Sequence, residues 1–454
     1  MKDYIRIGAA QGFWGDRPDA PVDLARHGDC DYLILDYLAE VTMSILQRQR
    51  QRNPDLGYAT DFPKVAGSLA PCLKEGLKII TNAGGINPIG CARAVLAELA
   101  KEGLEGVKVG VVYGDDILDQ LPGLIASGEE LQNMETGEPL EGVLKRVVSA
   151  NVYFGAAPIV DVLNGGAQIV VTGRCTDTGL ALAPMAHAFG WPLDDYRLAA
   201  SGTVAGHLLE CGAQASGGNF SADWESVPDL ARIGYPIAEA YPDGTFVMTK
   251  PAGLGGMVTQ AVIKEQIVYE LGDPRNYISP DCVIDFTSIR LSDDGEDRVR
   301  VSGVRGGDPT AFYKVSMAYK AGWRTSGTLT YTWPDALKKA RKAREILEAR
   351  IAHLDLKLDD VVFEYLGVNA CHGSLVTIPD EASINEVVFR VAVHSMERKS
   401  VERFGYELAP LILDGPPSVT GFAGGRPKPK EVIAYWPALM RKTAASPVTD
   451  ILEN

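Results

Sequence analysis

Five short and almost wholly apolar runs, at residues 5–8, 32–35, 77–81, 107–112 and 168–172, constrain this chain most. Helix-length stretches separate them, for example 40–50, 91–101 and 157–164. Runs this short and apolar throughout suit strands buried on both faces, which is the signature of a parallel sheet covered by helices. Each run is followed by a polar, mostly glycine-bearing loop: QGFWGD (11–16), DYLAE (36–40), NAGGINP (82–88), YGDD (113–116) and GRCTD (173–177). In open parallel sheets, ligands bind beyond the carboxyl ends of the strands. The pattern therefore predicts a shared pocket gathering Asp36, Asn82, Asp115, Arg174 and Asp177, where Gly84 and Gly85 bring backbone close to a ligand. The bland alternative is that turns favour Gly, Asn and Asp in any case.

After a glycine-rich stretch over 200–285 the texture changes. Residues 285–290 and 298–304 alternate like strands around a charged turn, and 314–319 and 327–332 continue the strand character. An amphipathic helix is predicted over 334–354, then strands over 361–366 and 386–393. The predicted fold class is α/β: an N-terminal parallel-sheet βα domain over 1–285, followed by a smaller α+β domain over 286–454, ferredoxin-like in style.

A chain of 454 residues is long enough for two or three units. Its formal net charge of −15 excludes a general nucleic-acid surface while leaving room for a local basic pocket for an anion. Seven widely spaced cysteines without a C-x-x-C pair predict free thiols in a reducing cytosol. No apolar run approaches the length of a membrane span and no secretory signal opens the chain, so a cytoplasmic protein without a membrane partner is expected. There is no P-loop, dinucleotide fingerprint, H-E-x-x-H or G-x-S-x-G. The six histidines lie far apart, which disfavours zinc or di-iron, though Asp115 with Asp116 leaves magnesium open. No cofactor is evident.

The residues with chemistry to offer are few. His207, Glu210 and Cys211 stand at i, i+3 and i+4 and share a helical face. A histidine beside a carboxylate makes an acid–base unit, and a nearby thiol makes a nucleophile. The structural reading has Cys211 as buried packing and Glu210 merely holding His207. Asp177 sits where a helix begins and suits an N-cap. Arg174 in a glycine-lined crevice suits a carboxylate or phosphate. Asn151 is a candidate binder, and Gly217 and Gly218 could offer backbone N–H groups to an oxyanion.

Read together, GFWGDR (12–17), DYLAEVTM (36–43), TDF (60–62), NAGGINP, NVYFGAAPIVDVL (151–163), GRCTDTGLALAP (173–184), GHLLECGAQASGGNF (206–220) and KEQIVYELGDPRNYISPD (264–281) resemble the acyclic terpene utilisation AtuA family. The resemblance spans roughly residues 4–330. It implies breakdown of branched terpenoid acids through acyl-CoA intermediates, with a coenzyme A thioester as substrate. It also associates such chains with a small ferredoxin-like module, carried in the chain or supplied as a partner subunit, with a GDKGN-like stretch absent here; a homo-oligomer is expected besides. The expected activity is lyase or hydratase-type acid–base chemistry by Asp36, Asp177, His207 and Glu210. The alternatives are a thiol-dependent hydrolase or acyl transferase, and a non-catalytic binding or scaffold subunit.

Overall fold

The computed structural model describes residues 3–378, 380–421 and 425–454. The chain divides into two compact units, Met1–Ala318 with Tyr435–Asn454, and Tyr319–Ala434. The first unit is built on a ten-stranded sheet. From one edge its order is Arg290–Asp293, Val299–Ser302, Phe246–Thr249, Ile237–Ala240, Ile5–Gln11, Tyr32–Leu35, Lys78–Thr81, Ile169–Thr172, Lys108–Tyr113 and Val448–Glu453. The five strands from Ile5–Gln11 to Lys108–Tyr113 run parallel, and antiparallel strands extend the sheet on both sides. These five are the runs singled out in the sequence.

Burial on both faces explains why they are apolar without alternation. Ile7, Ile34, Ile80 and Val170 face a core formed with the helices Ala157–Asn164, Gly179–Phe189 and Tyr196–Leu209. Their neighbours Leu33, Leu35, Ile79 and Val171 face a second core with the helices Glu40–Arg52 and Pro88–Lys101. Each such side chain contributes about 1.5–3 kcal/mol on burial, so both faces hold the parallel centre in register.

The boundary expected near 285 lies elsewhere. Residues 286–318 belong to the first unit, because Val299–Val301 pairs with Phe246–Met248 and extends the large sheet. The hairpin itself is shifted, joining Arg290–Asp293 to Val299–Ser302. The C-terminal strand Val448–Glu453 also returns to this sheet, a long-range pairing that local pattern could not reveal.

The expected strands 314–319 and 327–332 prove to be parts of one strand, Phe312–Thr332, whose residues up to Ala318 belong to the first unit and the rest to the second. Its segment Trp323–Thr332 pairs with Glu386–Ser395, and Asp360–Leu366 pairs on the other side of that strand. With Ala336–His353 and Arg398–Phe404 as helices and Val419–Thr420 as a further strand, the elements follow a β-α-β-β-α-β order. The helix Ala336–His353 buries Leu337, Ala340 and Leu347 against Phe389 and Val391. Among the described residues no helix is long and apolar enough to cross a membrane.

Candidate functional site

Parallel strands bring their carboxyl ends to one edge, and the polar loops meet there. Asp36 accepts a 2.7 Å hydrogen bond from Asn82 Nδ2, while Asn82 Oδ1 accepts one from the backbone N–H of Tyr37. Asp115 Oδ2 accepts from the backbone N–H of Arg174 at 2.9 Å and from Asn151 Nδ2 at 2.8 Å. The Arg174 guanidinium grips Asp177 with two bonds of 2.5 and 3.2 Å and stacks 4.1 Å from the ring centre of Tyr153. Burial is the largest single influence and opposes its charge, yet Asp177, Tyr153 and Asp36 together outweigh it, and the guanidinium pKa stands well above its ordinary value. Burial, reinforced by Asp177, raises the Asp36 carboxyl well above the usual range despite Arg174 and Asn82. The five expected residues are thus linked at one end of the sheet.

Only part of this network faces open space. A cavity of ≈ 380 Å³ is lined by Arg174, Thr176 and Asp177 on one wall and by His207, Glu210 and Tyr277 on another. Asp36, Asn82, Asp115 and Asn151 are buried and absent from its walls. Asp115, itself held by Asn151, ties the Arg174 backbone, and the Asp36 carboxyl acts on the guanidinium through its charge. The expected glycines serve packing instead: Gly84 lies against the carbonyl of Thr172, Gly85 against Leu46, Gly217 against Val227 and Gly218 against Ala213. None of these four lines the cavity.

His207 and Glu210 stand at the end of the helix Tyr196–Leu209, which reaches the loop end of the sheet through one close approach. A Cβ at Gly206 would lie 2.5 Å from Thr178 Cα, so only glycine lets this helix touch the start of Gly179–Phe189. His207 Nδ1 is 3.0 Å from Glu210 Oε1, and Nε2 faces the carbonyl oxygens of Gln266 and Ile267 at 3.0 and 3.2 Å. Carbonyls only accept, so Nε2 carries a proton in every state, and the contact at Nδ1 must hold one more. The pair is therefore either imidazolium with carboxylate or imidazole with carboxylic acid. Burial raises the Glu210 carboxyl above its ordinary value, with His207 opposing. Burial works against the imidazolium, but Glu210 and the two carbonyls raise its pKa overall.

Cys211 does not line the cavity, and burial with Glu210 beside it pushes its thiol up to about 12. Cys175, fully buried, is likewise pushed up to about 12. Among the described residues no group of three or more His, Cys, Asp or Glu is placed to hold a metal ion.

Several wall residues escaped the sequence reading. Tyr153 donates from its hydroxyl to Glu40 Oε1 at 2.9 Å, and Lys314 Nζ lies 3.4 Å from the same oxygen and 4.9 Å from the Tyr153 ring centre. Burial resists ionisation of Glu40, but a backbone N–H, Arg174 and Lys314 together hold its carboxyl below the usual value. Tyr153 and Tyr277 fall in the motifs NVYFGAAPIVDVL and NYISPD, which was the one available signal; Lys314 had none. Met134, Phe312 and Leu439 form an apolar flank, and the same three residues line an adjoining cavity of ≈ 570 Å³.

The fold and site define an α/β protein with a mixed sheet and a ligand-sized cavity at the carboxyl ends of its parallel strands. More particularly, the chain matches the model of the family described as acyclic terpene utilisation family protein AtuA over residues 5–451, and it belongs to that family. The match takes in the C-terminal third, beyond the roughly 4–330 over which the motifs were read. No curated protein and no solved structure matches the chain.

Proposed function

We propose that the cavity is the active site of an enzyme that adds water to, or removes it from, a branched acyl substrate in acyclic terpene catabolism. The observation that carries this reading is the His207–Glu210 pair, which holds one proton between its members on a cavity wall. Such a group can deliver or take a proton at the operating pH. In the addition direction, Asp177 takes a proton from water as the water oxygen bonds to the β-carbon. Glu210 then releases its proton to the α-carbon of the conjugated acyl group. Elimination is the reverse, and the balance needs no redox partner. Lys314 suits the polar head of the substrate, and Met134, Phe312 and Leu439 suit its apolar chain. A thiol mechanism is poorly served, because Cys175 is buried, Cys211 is half-buried, and both thiols are hard to ionise.

The test offers the purified chain an α,β-unsaturated branched acyl thioester and follows loss of the conjugated absorbance. Wild type is expected to turn it over, and Glu210→Gln to be slower by about 10²-fold or more. Equal rates in the two proteins would remove the proposal. Saturable binding without turnover would favour the non-catalytic subunit.

A further inference from the structure

We propose that the second unit carries a binding cleft for a small ligand bearing two or more phosphate groups, formed by Arg324, Arg426, Lys428 and Lys430. These four cations line one cleft of ≈ 570 Å³ whose walls include no acidic side chain. Arg324 lies on the strand Phe312–Thr332, where side chains alternate between faces. Thr325 and Leu329 are buried on one face, which leaves Arg324, Ser326 and Thr328 together on the other. Alongside this strand, against Thr325 and Gly327, the chain reads Arg426-Pro427-Lys428-Pro429-Lys430, so basic side chains recur at every second position.

The second wall is fixed rather than loose. A Cβ at Gly327 would lie 2.9 Å from Pro427 Cγ, and one at Gly405 would press on the Pro427 carbonyl oxygen. Thr325 Oγ1 donates to the Lys428 carbonyl at 3.1 Å, and the Arg426 guanidinium stacks 4.7 Å from the Tyr406 ring centre. The backbone is thereby held while the ammonium groups stay in the open.

The charge pattern points to a ligand. Many other cations of this unit find acids: Arg341 meets Glu381, Arg390 meets Glu364, and Arg350 and Arg403 share Glu407, while Arg398 stacks on Trp323 and Lys339 donates to the Thr332 carbonyl. Among the described residues none of the four cleft cations forms an ion pair, although the chain as a whole carries a net charge of −15. Like charges set side by side repel, and a compact polyanion relieves that repulsion. Guanidinium forks and hydroxyls fit phosphate oxygens, and four cations exceed what a single carboxylate would engage. A long nucleic acid is disfavoured, because the acidic remainder of the chain would repel its backbone.

Titration calorimetry of the full chain with inorganic tripolyphosphate and inorganic phosphate, at physiological ionic strength, tests this. Tripolyphosphate is expected to bind one to one, and phosphate to bind more than tenfold more weakly. Arg426→Ser and Lys428→Ser should each weaken tripolyphosphate roughly tenfold or more. Lys430→Ser, at an exposed position, gives the same reading if either of those fails to fold. Lys342→Ser, whose ammonium is paired with Glu345, is the control and should bind as wild type does. No binding at millimolar tripolyphosphate overturns the proposal, as does equal weakening in the control. Tighter binding of a long single-stranded oligonucleotide or of anionic vesicles also overturns it, in favour of a macromolecular surface.

Discussion

His207 is hydrogen-bonded at both ring nitrogens by the protein itself, and through Nδ1 it holds Glu210, one of the carboxyls that line the cavity. The imidazole therefore acts through Glu210. The hydrogen bond and positive charge of His207 lower the Glu210 pKa against the stronger effect of burial. Removing the ring should raise that pKa further, so the acid form would persist to higher pH. His207→Gln is expected to move the corresponding limb of the pH–rate profile alkaline by on the order of one pH unit, with a lower rate. A profile that keeps its limb while only the rate falls would show that His207 is packing.

Asp115 gives a second dependence on pH, one of stability. Burial raises its carboxyl from 3.8 to about 7, against the bonds from Arg174 and Asn151. A group whose folded pKa is raised contributes stability that is fully present below the unfolded value and is lost as pH rises through the folded one. The window is therefore about pH 4 to 7, and the gap between the two values corresponds to about 4 kcal/mol. Asp115→Asn keeps an acceptor oxygen for both bonds and does not titrate. Its melting temperature should gain on wild type steadily between pH 4 and 7 and level off above. A constant difference across that range would mean that Asp115 is not the titrating group.

What could be read from the sequence follows from what is local. The central strands were legible because burial on both faces leaves a continuous apolar run, as in Tyr32–Leu35 and Ile169–Thr172. Their polar loops were legible as a group, since parallel strands end on one side. The division of labour inside that group was hidden. Asn82 and Arg174 look alike as loop residues, yet Asn82 is sealed behind Asp36 while Arg174 reaches the cavity wall. Gly84 and Gly85 were expected beside a ligand because glycine admits close approach, but what approaches Gly84 is the Thr172 carbonyl. Lys314 could not be found at all, since it reaches the site from a strand some 140 residues beyond Arg174.

Among the cysteines, Cys371 is exposed, whereas Cys91, Cys175 and Cys282 are buried and all seven are free. Burial raises the thiols of Cys175 and Cys211 to about 12, so little thiolate exists at pH 8. Iodoacetamide at that pH should label Cys371 first, as peptide mass spectrometry can show, and leave turnover unchanged. Loss of turnover in step with labelling of Cys211 or Cys175 would revive the thiol mechanism.

Arg174 and Lys314 both line the cavity, and their burial assigns them different tasks. Arg174 is 2% exposed, clamped by Asp177 and Tyr153, with its backbone tied to Asp115. Asp177 is 29% exposed, so its loss of a partner costs less than the about 3–5 kcal/mol of a fully buried pair, but the void left by the buried guanidinium adds to it. Arg174→Ala should therefore lower the melting temperature markedly, and any accompanying loss of binding would say little about ligand contact. The side chain of Lys314 is 41% exposed, and its ion pair with Glu40 is partly solvated. Such a pair contributes at most about 1 kcal/mol. Lys314→Ala should melt close to wild type yet bind an acyl ligand roughly tenfold more weakly, since one charge-assisted hydrogen bond is lost. Melting scans and calorimetric titration of both variants separate the tasks. If Lys314→Ala binds normally, the polar head of the ligand is held elsewhere, and the orientation assigned to the substrate must be reversed.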